Sequence, residues 1–162
     1  MQVFARQLII GLVLILSATY GSSSLGAVVR GAQSGLPIQD LQILTHDGHE
    51  HRFRIEMADN AASRRRGLMF RKSLAPNAGM LFDFKTPRHV SFWMKNTRIP
   101  LDMLFLDSDG YIINLAPNVP PLSETNIPSG GAVLAVLEIR GGRSAELGIE
   151  PGDRVRQRIF GR

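Results

Sequence analysis

The strongest constraint on the fold of this chain is a succession of short apolar segments separated by turn residues. From Gly79 onward, each segment is four to eight residues long and rich in branched or aromatic side chains. These segments cover residues 79–84, 90–94, 103–106, 111–115 and 132–139. Upstream, residues 41–44 and 52–57 flank Asp47-Gly48, a turn pair that favours a β-hairpin. Closely spaced short strands of this kind are typical of a curled or closed sheet.

Two short helices complete the predicted architecture. Asp59 or Asn60 can cap a helix over residues 61–69, with Gly67 near its end, and residues 143–147 form a single turn closed by Gly148. We therefore predict an α+β fold: a compact, β-rich domain of seven or eight short, mostly antiparallel strands, curled or barrel-like. The stretch from Ala116 to Gly131 has no periodic pattern and is predicted to be a surface flap.

The N-terminus has the layout of an export signal. Arg6 precedes an apolar run that, with Ser17 and Ala18, reaches eleven residues, short of the ~20 that a membrane-spanning helix needs. We expect a signal peptide over residues 1–26, cleaved between positions 22 and 27, and the alternative is an uncleaved anchor. Residues 27–38 are then a flexible lead-in to a single domain over residues 39–160, in a periplasmic or secreted protein. The absence of cysteine excludes disulfides, thiol catalysis and thiolate metal sites.

Basic residues are concentrated in the middle of the chain. The 35 residues from Arg64 to Arg98 contain nine basic residues and one acid, Asp83, a balance of +8, whereas the whole chain carries +5. Such asymmetry predicts a basic cleft for a carboxylate, a phosphate or an acidic polysaccharide. The alternative is a helix whose arginines are merely solvated.

A polar motif over residues 91–102 follows this basic segment and contains the only tryptophan, Trp93. Phe92 and Trp93 are expected to point to opposite faces, one into the core and the other towards a pocket. Asp102 is expected to orient Arg66 or Arg71 through a bidentate pair.

A second carboxyl, that of Glu138, stands out because it is the single charge in a strongly apolar strand. A carboxylate is costly to bury alone, so we expect an arginine partner for it.

Several ordered blocks resemble domain-of-unknown-function family 192, also called uncharacterised protein family 0127. The blocks are Arg66-Gly67-Leu68-Met69-Phe70-Arg71, Gly79-Met80-Leu81-Phe82, Phe92-Trp93-Met94-Lys95-Asn96-Thr97 and Ile99-Pro100-Leu101-Asp102. Leu137-Glu138-Ile139, Gly141-Gly142 and Gly152-Asp153 resemble the end of the same domain, so the resemblance covers about residues 39–157. It implies a small β-rich α+β domain, often exported in bacteria, and no settled reaction.

The leading functional prediction is a non-enzymatic, exported binding or accessory domain with a basic pocket for a small anionic or saccharide-like ligand. The candidate ligand-binding residues are Arg66, Arg71, Trp93, Lys95, Asn96, Thr97 and Asp102. We expect no cofactor, no catalytic residue and no resident metal, no nucleic-acid partner, contact with a membrane only through the N-terminal segment, and a monomer.

Two alternatives come from other functional classes. The first is a cell-envelope hydrolase or lyase with Asp102 or His89 as the base and the cations stabilising an oxyanion. The second is a periplasmic Cu(I) carrier that uses the thioethers of Met94 or Met103, near His89 and Trp93. A weaker metal hypothesis concerns His49 and His51, which would share one face of a strand.

Overall fold

A computed structural model describes residues 31–161 and contains nine strands and two helices there. The strands are β1 Ile38–Leu44, β2 Glu50–Ala58, β3 Ala78–Arg88, β4 Ser91–Phe92, β5 Leu101–Leu106, β6 Ile112–Val119, β7 Ile127–Pro128, β8 Val133–Arg140 and β9 Arg154–Arg156. The helices are α1 Ala61–Arg66 and α2 Arg143–Leu147. Over this part of the chain, neither helix has the length and apolar character required to cross a membrane. The predicted signal peptide lies outside the described residues.

Seven strands form one curled sheet in the order β6-β5-β8-β3-β2-β1-β9, and β4 and β7 form a separate two-stranded sheet. The curl brings the two edge strands together. Tyr111 forms a bridge with Arg154, and the amide of Val155 donates to the carbonyl of Gly110 over 2.7 Å. The β-rich, curled α+β fold predicted from the sequence is confirmed.

The parallel pairing of β2 with β3 places α1 over the sheet, because parallel neighbours need a crossover connection. The Asn60 side chain caps the helix by accepting hydrogen bonds from the amides of Ala62 and Ser63. The helix ends at Arg66, three residues earlier than predicted. Gly67 follows with φ 47°, a left-handed conformation that strongly favours glycine.

The sheet buries an apolar cluster on each face. One cluster draws residues from all seven strands, as the interior of a curled sheet does. The other lies on the opposite face and includes Leu68 after α1 together with Met80, Met103 and Val136 of the central strands. Successive residues of a strand alternate between faces, so β8 directs Leu137 to the first cluster and Val136 and Glu138 to the second face.

Two segments differ from their predicted conformation. Of residues 90–94, only Ser91 and Phe92 form a strand, because Trp93 lies on an exposed rim and Met94 turns into the core. The predicted flap over residues 116–131 contains the end of β6 and all of β7.

Candidate functional site

An open cleft of about 560 Å³ lies on the second face of the sheet, between α1 and the polar motif. Its lining comprises Ala61 and residues 64–66 of α1, residues 67–69 of the turn that follows, Phe82 and Phe84 of β3, residues 90–93, Thr97 and Glu138. This volume falls within the range of small-molecule sites, roughly 300–1,000 Å³. The cleft lies between the basic segment and the polar motif, and three of the seven candidate ligand-binding residues line it: Arg66, Trp93 and Thr97.

The wall of the cleft is aromatic and ordered by edge-to-face packing. Phe92 lies edge-on to Phe82, Phe84 and Phe105, with ring centroids 5.1, 6.4 and 6.2 Å apart. Such pairs contribute about 0.5–1.5 kcal/mol each beyond their buried area, so the wall is fixed before any ligand arrives. Phe92 thus faces both core and cleft, while Trp93 is 46% exposed on the rim.

The rim of the cleft carries the three arginines of α1. Arg64 donates to the carbonyl of Asp83 over 2.8 Å and lies over the Phe84 ring, and Arg66 lies over the Phe70 ring. Neither Arg64 nor Arg65 forms an ion pair with a carboxylate among residues 31–161. The three arginines of α1 therefore line the cleft.

The two motif blocks meet at one end of this rim. The Phe70 amide donates to the Asn96 carbonyl over 2.8 Å. The Arg98 guanidinium carbon lies 5.8 Å from the centroid of the Phe70 ring. Asn96 itself is exposed, with φ 60°. Its contribution to the site is the position of its backbone.

Lys95 and Thr97, on either side of Asn96, differ in their exposure to solvent. The Lys95 ammonium lies 5.3 Å from the Trp93 ring centroid and 3.7 Å from Glu124, in solvent. Thr97 is buried and lines the cleft.

Arg71 lies outside the cleft. Its guanidinium forms a bidentate pair with Glu56 of β2, with both N–O distances at 2.7 Å and both side chains 18% exposed. The predicted pairing of Arg71 with Asp102 is therefore wrong, because Glu56 binds both terminal nitrogens of the Arg71 guanidinium.

Asp102 is fully buried and holds α2 in place. Its carboxylate accepts hydrogen bonds from the amides of Asn118, Gly142 and Ser144 and from the Ser144 hydroxyl, all at 2.7–2.8 Å. Two of these amides belong to the N-terminus of α2, which an anionic side chain stabilises. A carboxylate bound in this way has no free oxygen for a ligand or a substrate proton, so its geometry disfavours Asp102 as a binding group or base.

Glu138 is the unexpected member of the site. It is 5% exposed, lines the cleft, and no described side chain donates a hydrogen bond to it or pairs with it. Burial raises the pKa of the Glu138 carboxyl to about 8. The prediction of an arginine partner is wrong: the arginines line the same cleft without reaching the carboxyl.

Metal-binding clusters are not found among residues 31–161, where no three His, Asp or Glu side chains lie close enough to hold an ion. His49 instead lies 3.6 Å from Asp47, and His46 lies 3.5 Å from Asp153. The thioethers of Met94 and Met103 are fully buried in the second apolar cluster. They are core residues.

A larger cavity of about 800 Å³ lies elsewhere, between the β1–β2 hairpin and residues 75–78. Its lining mixes acids with bases, including Asp40, Arg52, Arg54 and Glu56, and contains no residue of the polar motif.

The sequence and the fold both relate this chain to known proteins. The model of domain-of-unknown-function family 192, described as Uncharacterized ACR, matches residues 42–157. This chain belongs to that family. No curated protein matches the sequence significantly.

Two solved structures share the family 192 fold with substantial identity. A proposed transcription regulator from Sinorhizobium meliloti 1021 is 41% identical, with a TM-score of 0.77, over 79% of this chain and 99% of that one. A protein of unknown function from Novosphingobium aromaticivorans DSM 12444 is 45% identical, with a TM-score of 0.74, over 76% of this chain and 88% of that one.

Proposed function

We propose that this family 192 protein is an exported, non-enzymatic binding domain for a small molecule that combines a ring with an anionic group. Aromatic acids and uronic acids have this chemistry. The ring packs against the wall formed by Phe82, Phe84 and Phe92, and the anionic group faces the arginines of α1.

One observation carries this proposal: an open cleft of suitable volume in which a fixed aromatic wall lies beneath Arg64 and Arg65, neither of which forms an ion pair with a carboxylate among residues 31–161. Aromatic rings supply contact area with little loss of side-chain entropy, and arginine binds carboxylates through a planar fork. Asp102, one of the two candidate bases, is fully engaged by backbone amides and the Ser144 hydroxyl, which favours binding over a hydrolase or lyase that uses this carboxylate.

A DNA-binding role is less favoured. Helices α1 and α2 are six and five residues long, too short to present a recognition surface along a groove. The exposed aromatic residue at the rim is a single tryptophan, whereas single-stranded nucleic acids are bound by a series of stacking side chains.

The proposal is tested with 4-isopropylbenzoate and its uncharged analogue 4-isopropylbenzamide. Trp93 is the only tryptophan, so its fluorescence reports directly on the rim of the cleft. We expect the carboxylate to bind more tightly than the amide by about five- to ten-fold, because charge-assisted hydrogen bonds exceed neutral ones. The Arg64→Ala/Arg65→Ala double variant should lose this preference.

Arg52→Ala is the matched control, since Arg52 is an exposed arginine that lines the other cavity. It should bind both probes as the wild-type protein does. Equal affinities for the carboxylate and the amide in the wild-type protein, or loss of binding in Arg52→Ala alone, would contradict the proposal.

A further inference from the structure

Glu138 occupies a position that packing alone would assign to an apolar side chain. It lies on β8 directly opposite Met80 of β3 on one side and Met103 of β5 on the other, and both methionines are fully buried. Its neighbour on the same face, Val136, belongs to the second apolar cluster. A carboxyl in such a layer loses most of its hydration, and no described group of the protein forms a hydrogen bond with it in return.

The charged groups around Glu138 do not supply that contact. The arginines of α1 line the same cleft but form no ion pair or hydrogen bond with Glu138. On the adjacent strands, Asp83 is held by Lys85 over 2.9 Å, and Asp102 lies on the opposite face of the sheet. Burial is thus the dominant influence on Glu138, and with its pKa near 8 the carboxyl is mostly un-ionised at neutral pH.

An un-ionised carboxyl carries an O–H donor and a carbonyl acceptor. Buried polar groups in folded proteins nearly always have hydrogen-bond partners, so a group that lacks one and lines an open cleft is available to an incoming ligand. The cleft thus presents arginines at its rim and one uncharged donor further inside.

We propose that Glu138 is the specificity-determining residue of the cleft and donates a hydrogen bond, as an un-ionised carboxyl, to a carbonyl or hydroxyl oxygen of the ligand. This inference rests on the proposed function, because it requires a ligand whose anionic group faces the arginines. The ligand therefore carries two features: an anionic group and, across the ring, an uncharged oxygen acceptor.

The competing possibility is an ionised Glu138 that binds a cationic group of the ligand. Ionisation in this apolar layer is costly, and the arginines that line the cleft repel a second cation. The uncharged donor is therefore favoured.

Three para-substituted benzoates distinguish these possibilities, since all carry the same carboxylate. The probes are 4-acetylbenzoate, which offers a carbonyl acceptor, 4-isopropylbenzoate, its apolar counterpart of similar shape, and 4-(aminomethyl)benzoate, which is cationic at the para position. Their dissociation constants are measured from Trp93 fluorescence at pH 6 and pH 9.5. The proteins are the wild type, Glu138→Gln, which keeps a donor of the same size, and Glu138→Leu, which keeps the volume only.

For the wild-type protein at pH 6 we expect 4-acetylbenzoate to bind about ten-fold more tightly than 4-isopropylbenzoate, as one additional net hydrogen bond predicts. Glu138→Gln should retain most of this preference. Glu138→Leu should lose it while binding 4-isopropylbenzoate at least as well. The preference should also disappear in the wild type at pH 9.5.

The failures of the two proposals differ. If 4-isopropylbenzoate binds but 4-acetylbenzoate shows no advantage, or if the aminomethyl probe binds most tightly, the role of Glu138 is overturned and the anion-binding cleft stands. If none of the three benzoates changes the fluorescence of Trp93, both proposals fall.

Discussion

Phe70 donates its backbone amide to the carbonyl oxygen of Asn96 over 2.8 Å, and both residues have left-handed backbones, with φ of 64° and 60°. This bond joins the turn after α1 to the loop after β4, the two family 192 blocks that border the cleft. It fixes the distance between the arginines of α1 and the rim around Trp93. The family motif is therefore partly architectural, and the architecture it maintains is that of a cleft.

The left-handed conformation of Asn96 gives the first prediction. Asparagine tolerates this conformation, glycine adopts it freely, and a β-branched residue is strained there by about 1–2 kcal/mol. Asn96→Val should lower the free energy of unfolding by that amount, measured by urea denaturation, while Asn96→Gly should change it little. Equal destabilisation by both substitutions would show that the amide side chain, and not the backbone conformation, is what matters.

Asp102 gives a prediction that separates its structural role from a functional one. In Asp102→Asn, the amide nitrogen cannot accept the hydrogen bonds that one carboxylate oxygen now receives at the start of α2. We expect the free energy of unfolding to fall by about 2–4 kcal/mol, measured by urea denaturation. The folded variant should still bind 4-isopropylbenzoate with the wild-type affinity.

Asp109→Asn is the control for this substitution, because Asp109 is exposed in the β5–β6 turn. Its free energy of unfolding should stay within about 0.5 kcal/mol of the wild-type value. Loss of benzoate binding in Asp102→Asn without loss of stability would instead place Asp102 in the site.

Glu138 gives a prediction about pH. The pKa of its carboxyl rises from an ordinary 4.5 to about 8 on folding, so between these values the folded protein retains a proton that the unfolded chain releases. The contribution of Glu138 to stability is therefore full below pH 4.5, declines as the pH rises, and is lost above pH 8. The maximal slope is about 1.4 kcal/mol per pH unit.

Glu138→Leu should remove this decline and be more stable than the wild type, by a margin that widens from pH 5 to pH 8. Urea denaturation at pH 5, 7 and 9 measures it, with Glu124→Leu, an exposed glutamate, as the control. Parallel pH dependence in the wild type and Glu138→Leu would mean that the Glu138 carboxyl titrates normally.

The predicted signal peptide covers residues 1–26, which lie outside the described part of the chain. We expect the protein recovered from the periplasm or medium of an expressing bacterium to begin between positions 22 and 27. N-terminal sequencing measures this directly. An intact N-terminus on a membrane-bound protein would instead support an uncleaved anchor.

The sequence predicted most of the fold because its signals are local. Alternating segments, the Asp47-Gly48 turn and the glycine after α1 each act over a few residues, and the structure has a β1–β2 hairpin and a helix end at those points. The parallel pairing of β2 with β3 and the contact of β9 with β6 could not be read in the same way. Both join segments that are distant in the chain, and no local pattern specifies which edges meet.

The site was predicted only in part, for a related reason. Arg66, Trp93 and Thr97 line one cleft because their blocks flank it, and their role in binding stays a prediction. Arg71 and Asp102 are charged residues of the same blocks, but they do not line the cleft. Their partners, Glu56 and the amides of α2, belong to other segments of the chain, and no local pattern identifies them.

Glu138 stands out in the sequence as the single charge in an apolar strand. We interpreted that pattern as a buried ion pair with an arginine, which is wrong. Distinguishing an ion pair from an unpartnered carboxyl requires the positions of the surrounding strands. Those positions put Met80 and Met103 on either side of it, where a cation would have been needed.

The most direct test of ligand binding at this cleft is to map the binding of 4-acetylbenzoate on the ¹⁵N-labelled protein by two-dimensional NMR. We expect chemical-shift changes at the Trp93 indole N–H and at the amides of Gly67, Leu68 and Thr97, all at the cleft. Changes concentrated around Arg54 and Asn77 in the larger cavity, or no changes at millimolar probe, would contradict it.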